Sequence, residues 1–226
     1  METFVVRVWV PDRPGALGQV ASRIGAVRGD VVGIDILERG AGRAIDELVV
    51  ELPDAGLVSL LLAEIDQVDG VDVEDVRPAR DQYADPRLDA LETAALIVGS
   101  GSYRELLSSL VTHARQDFGA EWAVVIDLDQ RVLLASHGAP PPPSWLAAFV
   151  AGSESSAAVC SGECGPDDVA WASLGTSRVA LLLGRQGRPF RSRERHQLAA
   201  LCRIAQYVMA TLGVDRAAVP VPLPAG

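Results

Sequence analysis

Two stretches of this chain combine residue types at a spacing that suits chemistry. The first is Pro11-Asp12-Arg13-Pro14-Gly15-Ala16-Leu17. Two prolines fix φ and remove donors, and Gly15 leaves the start of the following helix unshielded by a side chain. Exposed N–H groups backed by a helix dipole suit a carboxylate or a phosphate. As a purely local feature the same turn reads as a helix start with Asp12 as its N-cap. The second stretch is Cys160-Ser161-Gly162-Glu163-Cys164. Its two thiols suit a metal, a loop disulfide or redox exchange, but a structural zinc needs about four ligands and no second pair exists. Cys202, the third cysteine, falls on the apolar stripe of a helix and reads as a small core residue.

Catalytic signals are sparse. The chain has no G-x-S-x-G elbow, P-loop, G-x-G-x-x-G or H-E-x-x-H. His113, His137 and His196 are scattered, and Ser136 and His137 are adjacent on a strand, which points their side chains apart. The reading is therefore non-enzymatic, with no cofactor and no metal expected.

The elements that must hold the turn follow from periodicity. Phe4 to Val10 reads as a strand, and Leu17, Val20, Ala21, Ile24 and Val27 form one helical stripe. Val31 to Glu38 predicts a second strand, with Val32, Ile34 and Ile36 on one face and Gly33 and Asp35 on the other. Arg39 to Arg43 supplies a glycine-rich hairpin turn, and Ala44 to Leu52 a third strand in which Leu48, Val50 and Leu52 alternate with Glu47, Val49 and Glu51. A second helix carries the stripe Leu57, Leu60, Leu61, Glu64, Ile65 and Val68, and Val71 to Val76 closes the unit. The order β-α-β-β-α-β is the split plan of the ferredoxin-like fold, with one sheet face and one edge left for a partner.

Residues 79–101 read as a linker with a short helix that Asp85 caps. Beyond it, Leu106, Leu107, Leu110, Val111, Ala114 and Phe118 form a helical stripe, with Ser102 as N-cap and Glu105 three residues on. Strands are expected at Trp122–Asp127, Arg131–Ser136, Ala157–Cys160, Val169–Leu174 and Arg178–Leu183. A short helix at Ser144–Val150 and a long one from Ser192 complete the second half. Residues 215–226 are proline-rich and read as a disordered tail.

Composition narrows the partners. Apolar residues make up 49 % of the 226, enough for a core along the whole chain, which excludes wholesale disorder. The net charge of -10 argues against direct nucleic-acid binding, which needs clustered cations. All 20 basic residues are arginine, a usage that hints at a high-GC bacterial coding bias. No leader pattern is apparent and no apolar run reaches about 18 residues, so the expectation is a cytoplasmic protein away from membranes.

Two resemblances add to this. Residues 1–78, through the strand-Asp12-Arg13-Pro14-Gly15-Ala16-Leu17-helix entry, the hairpin and the element order, resemble an ACT domain. Residues 102–214, through an apolar strand followed by Arg188-Pro189-Phe190 and an amphipathic helix, resemble a GAF domain. Together they imply an α+β chain of two sensor modules: a ferredoxin-like βαββαβ unit, then a five- or six-stranded antiparallel sheet with flanking helices. The GAF cyclic-nucleotide signature is absent, and Trp145, Phe149 and Trp171 read as pocket lining or as plain core.

The ACT resemblance implies an amino acid held where the turn meets the second strand of a neighbouring copy. The N–H groups near Gly15, Ala16 and Leu17 would hold the carboxylate, and Asp12 the ammonium. Pro14 would shape the turn, Ile34 or Asp35 would complete the cleft, and Arg13 would serve as a ligand contact or a solvated surface residue. The expected protein is a homodimeric allosteric regulator whose output passes to a partner protein or through the second module. Alternatives are a regulatory subunit of a separate metabolic enzyme and a redox protein working through Cys160 and Cys164.

Overall fold

A computed structural model describes residues 1–79, 86–162, 165–175 and 178–212. The chain divides into two compact units, residues 1–84 and 85–226.

The first unit runs β1 (Glu2–Pro11), α1 (Ala16–Ala26), β2 (Asp30–Gly40), β3 (Arg43–Leu52), α2 (Val58–Ile65) and β4 (Asp72–Pro78). The strands form an antiparallel sheet in the order β2-β3-β1-β4, so this half is the ferredoxin-like βαββαβ unit that the element order predicts. Period-two alternation sends Phe4, Val6, Val8 and Val10 of β1 to the helix side, where they bury against Val20 and Ile24 of α1 and Leu61 and Ile65 of α2. The α1 stripe is slightly rotated from expectation: Ala16 is buried and Ala21 exposed. Gly70 closes the same end of the sheet. Its φ is +75°, and a Cβ there would come within 2.9 Å of the Pro11 ring, so only glycine fits.

β2 is an edge strand with two bulges, between Val31 and Gly33 and between Ile36 and Glu38. Ile34 and Ile36 stay 43 % and 36 % exposed, so the expected edge is there. The sheet face away from the helices is less open than expected, because Arg7 and Ile45 on it are buried.

The second unit runs α3 (Pro86–Val98), α4 (Tyr103–Asp117), β5 (Trp122–Asp127), β6 (Val132–His137), α5 (Pro143–Ser153), α6 (Ala157–Cys160), β7 (Val169–Ser173), β8 (Val179–Gly184) and α7 (Ser192–Thr211). Its antiparallel sheet is ordered β6-β5-β8-β7. The central strands β5 and β8 are buried throughout because both faces are covered. Ala123 and Val125 face a cluster with α4 and α7, while Trp122, Val124 and Ile126 face Leu146 and Val150 of α5. The expected Ser102 cap forms, its Oγ accepting from the Glu105 N–H at 3.3 Å. The Arg-Pro-Phe entry to α7 is fastened by a buried pair: Arg185 donates to both Glu194 carboxylate oxygens at 2.8 and 2.9 Å, with its guanidinium 3.9 Å from the Phe190 ring centre.

Three expectations change here. Ala157–Cys160 is a helix, not a strand. Its alanines favour helix, and the N–H groups of Cys160 and Ser161 turn back to Ser156 and Ala157. The described residues consequently hold four strands in this sheet, not the five or six implied by the GAF resemblance. The helix placed in a linker, α3, packs against α4 and α7 as part of the second unit. The Asp85 cap and the tail at 215–226 lie outside the described residues.

Candidate functional site

The β1–α1 turn is tied down by backbone bonds. The Asp12 N–H donates to Gly42 O at 2.9 Å, pinning the turn to the tip of the β2–β3 hairpin, and the Arg13 N–H donates to Pro11 O at 2.8 Å. Beneath it Arg43 stacks over Trp9, 5.3 Å from the ring centre, and pairs with Asp72. The helix then begins without a side-chain cap. Gly15 is the N-cap, left-handed at φ +86°, and no acidic residue occupies the first turn. The expected Asp12 cap is therefore corrected: Asp12 lies three residues too early and is exposed. By contrast, α4 has Ser102, and the N–H of Arg191 ahead of α7 donates to Glu194 at 2.9 Å. The Gly15 carbonyl accepts from Gln19 N at 3.1 Å, and the Ala16 N–H turns back to Arg13 O at 3.3 Å. That leaves the Leu17 and Gly18 N–H groups of the first turn to be met from outside, as helix geometry requires.

The other expected site residues fall in two places. Asp12, Arg13, Pro14 and Gly15 are exposed, Leu17 is half-buried, and Ala16 is a core residue. Ile34 and Asp35 are elsewhere. Pro11 pairs with Arg43, which pairs with Gly40, whereas Val6 pairs with Leu48, which pairs with Ile34. Ile34 thus lies five rungs along the ladder and two strands across from the turn. A single copy does not bring the two parts together. An open groove beside the turn is lined by Arg13, Gln19, Ser22 and Arg23 with Gln67 and Asp69. Arg23 is already paired there with Glu64 at 3.1 Å.

One residue that the sequence reading passed over belongs with the turn. Asp46 pairs with Val8 on one side and Ile36 on the other, so it shares the helix-facing side of the sheet with Val8 and Ala44. It is 3 % exposed, and its Oδ1 has no hydrogen-bond partner. Burial raises its pKa, Arg39 on β2 pulls it back, and Asp12 in the turn pushes it up again. The signal lay in the strand's own alternation: counted back from Leu52, Val50 and Leu48, the next inward position is 46.

The neighbouring carboxylate is its opposite. Glu47 faces away from the helices and accepts from Arg7 Nε at 3.0 Å, Arg7 Nη2 at 2.8 Å and Arg77 Nη2 at 2.9 Å. Burial pushes its pKa up, and the two guanidiniums overcome that to hold it at about 2.

Among its described residues the second unit carries little that is chemically unspent. Cys202 is buried in the core, as expected, and burial pushes its thiol up to about 12. Cys160 is exposed and free, and Cys164 lies outside the described residues. No cluster of His, Cys, Asp and Glu that could hold a metal occurs among the described residues. His137 Nδ1 lies 3.4 Å from Thr112 Oγ1 at the surface. Trp145 stacks on Phe149 with centroids 5.4 Å apart and is 45 % exposed. Trp171 packs into the core on the α5 side, with its buried indole N–H lacking an acceptor. No helix among the described residues is long and apolar enough to cross a membrane.

Comparison with known proteins bears mainly on the first unit. Residues 4–70 match the family model of the ACT domain, a small-ligand-binding regulatory module. No curated protein matches the chain. Among solved structures, the ACT domain of a GTP pyrophosphokinase from Chlorobium tepidum is 17 % identical with a TM-score of 0.28, over 34 % of this chain and 97 % of that one. A formyltetrahydrofolate deformylase from Pseudomonas putida is 18 % identical with a TM-score of 0.28, over 43 % and 39 %. The chromophore-binding domain of a Stigmatella aurantiaca bacteriophytochrome is 14 % identical with a TM-score of 0.30, over 80 % and 53 %.

Proposed function

We propose that this chain is a non-enzymatic regulatory sensor whose first unit binds a small carboxylate ligand, an amino acid, at the β1–α1 turn. The bare, left-handed start of α1 at Gly15, inside the stretch matched by the ACT model, carries this reading. A first turn with no cap and no acidic residue leaves donors and a positive dipole end for an anion from outside.

In this reading two copies pair along the exposed β2 edge, bringing Ile34 and Asp35 of one copy toward the turn of the other. Pairing of that kind satisfies an open edge and makes two equivalent clefts. A ligand that binds the paired arrangement better shifts its population, and a partner protein or the second, GAF-like unit carries the response. The setting is a bacterial cytoplasm.

Thermal unfolding of the full chain tests this against the amino acids, purines and cyclic nucleotides. A ligand at ~100-fold above its Kd stabilises by ~2.7 kcal/mol. An amino acid should raise the Tm, and Gly15→Asp, which puts a fixed carboxylate where the ligand's would lie, should abolish the rise. A response to none of the amino acids rejects the reading. Sedimentation of the parent beside Ile34→Asp tests the pairing, the expected result being a dimer that the edge charge dissociates.

A further inference from the structure

The sequence resemblance gave the ligand's ammonium group to Asp12, but the structure offers a different carboxylate. Asp12 is exposed, so water competes fully for its charge. Asp46 is buried to 3 % exposure on the helix-facing side of the sheet, and its Oδ1 has no partner. Leaving such an acceptor unsatisfied is costly, and most folds avoid it. Asp46 lies on β3 two positions from Ala44, which pairs with Val10, the residue next to the turn's first proline. Its charge is felt together with that of Asp12 in the turn and of Arg39 on β2. A carboxylate with an open acceptor thus stands on the same side of the sheet, and at the same end, as donors with an open valence. Anion-seeking and cation-seeking groups on one side and at one end of the sheet suit a zwitterion.

We infer that Asp46 is the cation-recognising residue of this site, taking the ammonium of an amino acid whose carboxylate lies at the start of α1. This rests on the reading of the turn as a carboxylate site and adds the requirement for an amine. A ligand lacking the amine leaves Asp46 buried without a partner, so discrimination comes from the cost of an unmet charge as well as from the bond made. The arrangement selects α-amino acids against simple carboxylic acids of the same shape.

The test is calorimetric titration of the full chain with the twenty L-amino acids and, for each that binds, the matching acid without its amine (propionate for alanine, for instance). The parent should prefer the amino acid by about tenfold or more, the scale of a hydrogen bond to a charged group. Asp46→Asn and Asp46→Leu, both close in shape to aspartate, should bring the two affinities together, with folding checked by circular dichroism. Equal binding of amine and amine-free acids by the parent overturns the role of Asp46 while leaving a carboxylate site in place. A preference that survives in both variants also overturns it and leaves the amino-acid reading intact. If no amino acid binds the parent, both inferences fall together.

Discussion

Asp46 and Glu47 are consecutive residues of one strand and face opposite sides of one sheet. Their electrostatic fates diverge completely. Glu47 is held by two arginines, each in turn near another carboxylate: Arg77 lies 2.8 Å from Asp75, and Arg7 lies 3.7 Å from Glu74. Its charge is locked in. Asp46 is 3 % exposed and lacks a partner for Oδ1, so its charge is opposed by its surroundings. A strand spends polar burial in one of two ways: a closed network stabilises the fold, and an open valence is kept for something absent from the chain. The first belongs to the scaffold and the second to the site.

The largest effect expected follows from opening the closed network. Glu47→Gln takes from Arg7, at 1 % side-chain exposure, the carboxylate 2.8 Å away and leaves Glu74 at 3.7 Å. Removing one partner of a buried pair costs about 3–5 kcal/mol, and a loss near the lower end is expected because Glu74 remains. Denaturant unfolding of the full chain measures it. If Glu47→Gln is as harmless as Asp46→Leu, the two carboxylates do not differ as described.

Acid separates them next. Glu47 titrates from 4.5 in the unfolded chain to about 2 in the fold, so it contributes stability above pH 4.5 that disappears as pH falls toward 2. At ~1.4 kcal/mol per unit, that amounts to roughly 3 kcal/mol. Asp46 has the opposite sign. Its folded pKa is raised, so the native state holds a proton the unfolded chain gives up, and its cost is relieved as pH falls. Glu47→Gln should flatten the loss of stability between pH 4.5 and 2, and Asp46→Leu should steepen it slightly. Parallel changes in the two variants would show that other carboxylates dominate the acid limb.

At neutral pH Asp46→Leu should gain about 1 kcal/mol, since a buried carboxylate with one unpartnered oxygen gives way to an apolar group of similar shape. Gaining stability while losing ligand preference is the signature of a binding residue. A loss of more than 1 kcal/mol would instead make Asp46 part of the scaffold.

How much of this was legible in the sequence depends on the distance over which each feature is written. The strands of the first sheet, the Gly15 turn and the Ser102 cap are set by residues at most a few positions apart, and all were readable. Asp46 is also written locally, since the inward alternation through Leu52, Val50 and Leu48 continues to position 46, but a polar residue there masks the period. The Glu47 clamp was out of reach, because Arg7 and Arg77 stand 40 and 30 residues away and only strand register brings them together. Ala157–Cys160 failed for a third reason: four residues are too few for either period to declare itself. Asp12 looked like a cap because its type fits, yet the backbone reaches helical geometry only after Gly15.

The smallest expected effect sharpens the open side of the comparison. Nothing lies within 4 Å of a Cβ built on Gly15, so substitution there meets no steric obstacle and its cost comes from φ +86° alone. Gly15→Ala should therefore lose only about 1 kcal/mol. Gly15→Asn should lose a few tenths, because asparagine tolerates the left-handed region and its side chain can satisfy a first-turn N–H. That second property makes the pair informative. Alanine keeps the donors open, so ligand affinity should survive the loss of stability. Asparagine closes a donor, so affinity should fall while stability is nearly kept. Titration and thermal unfolding of the two variants should give opposite rankings if the bare helix start is a site. They should give the same ranking if Gly15 is there for the turn alone.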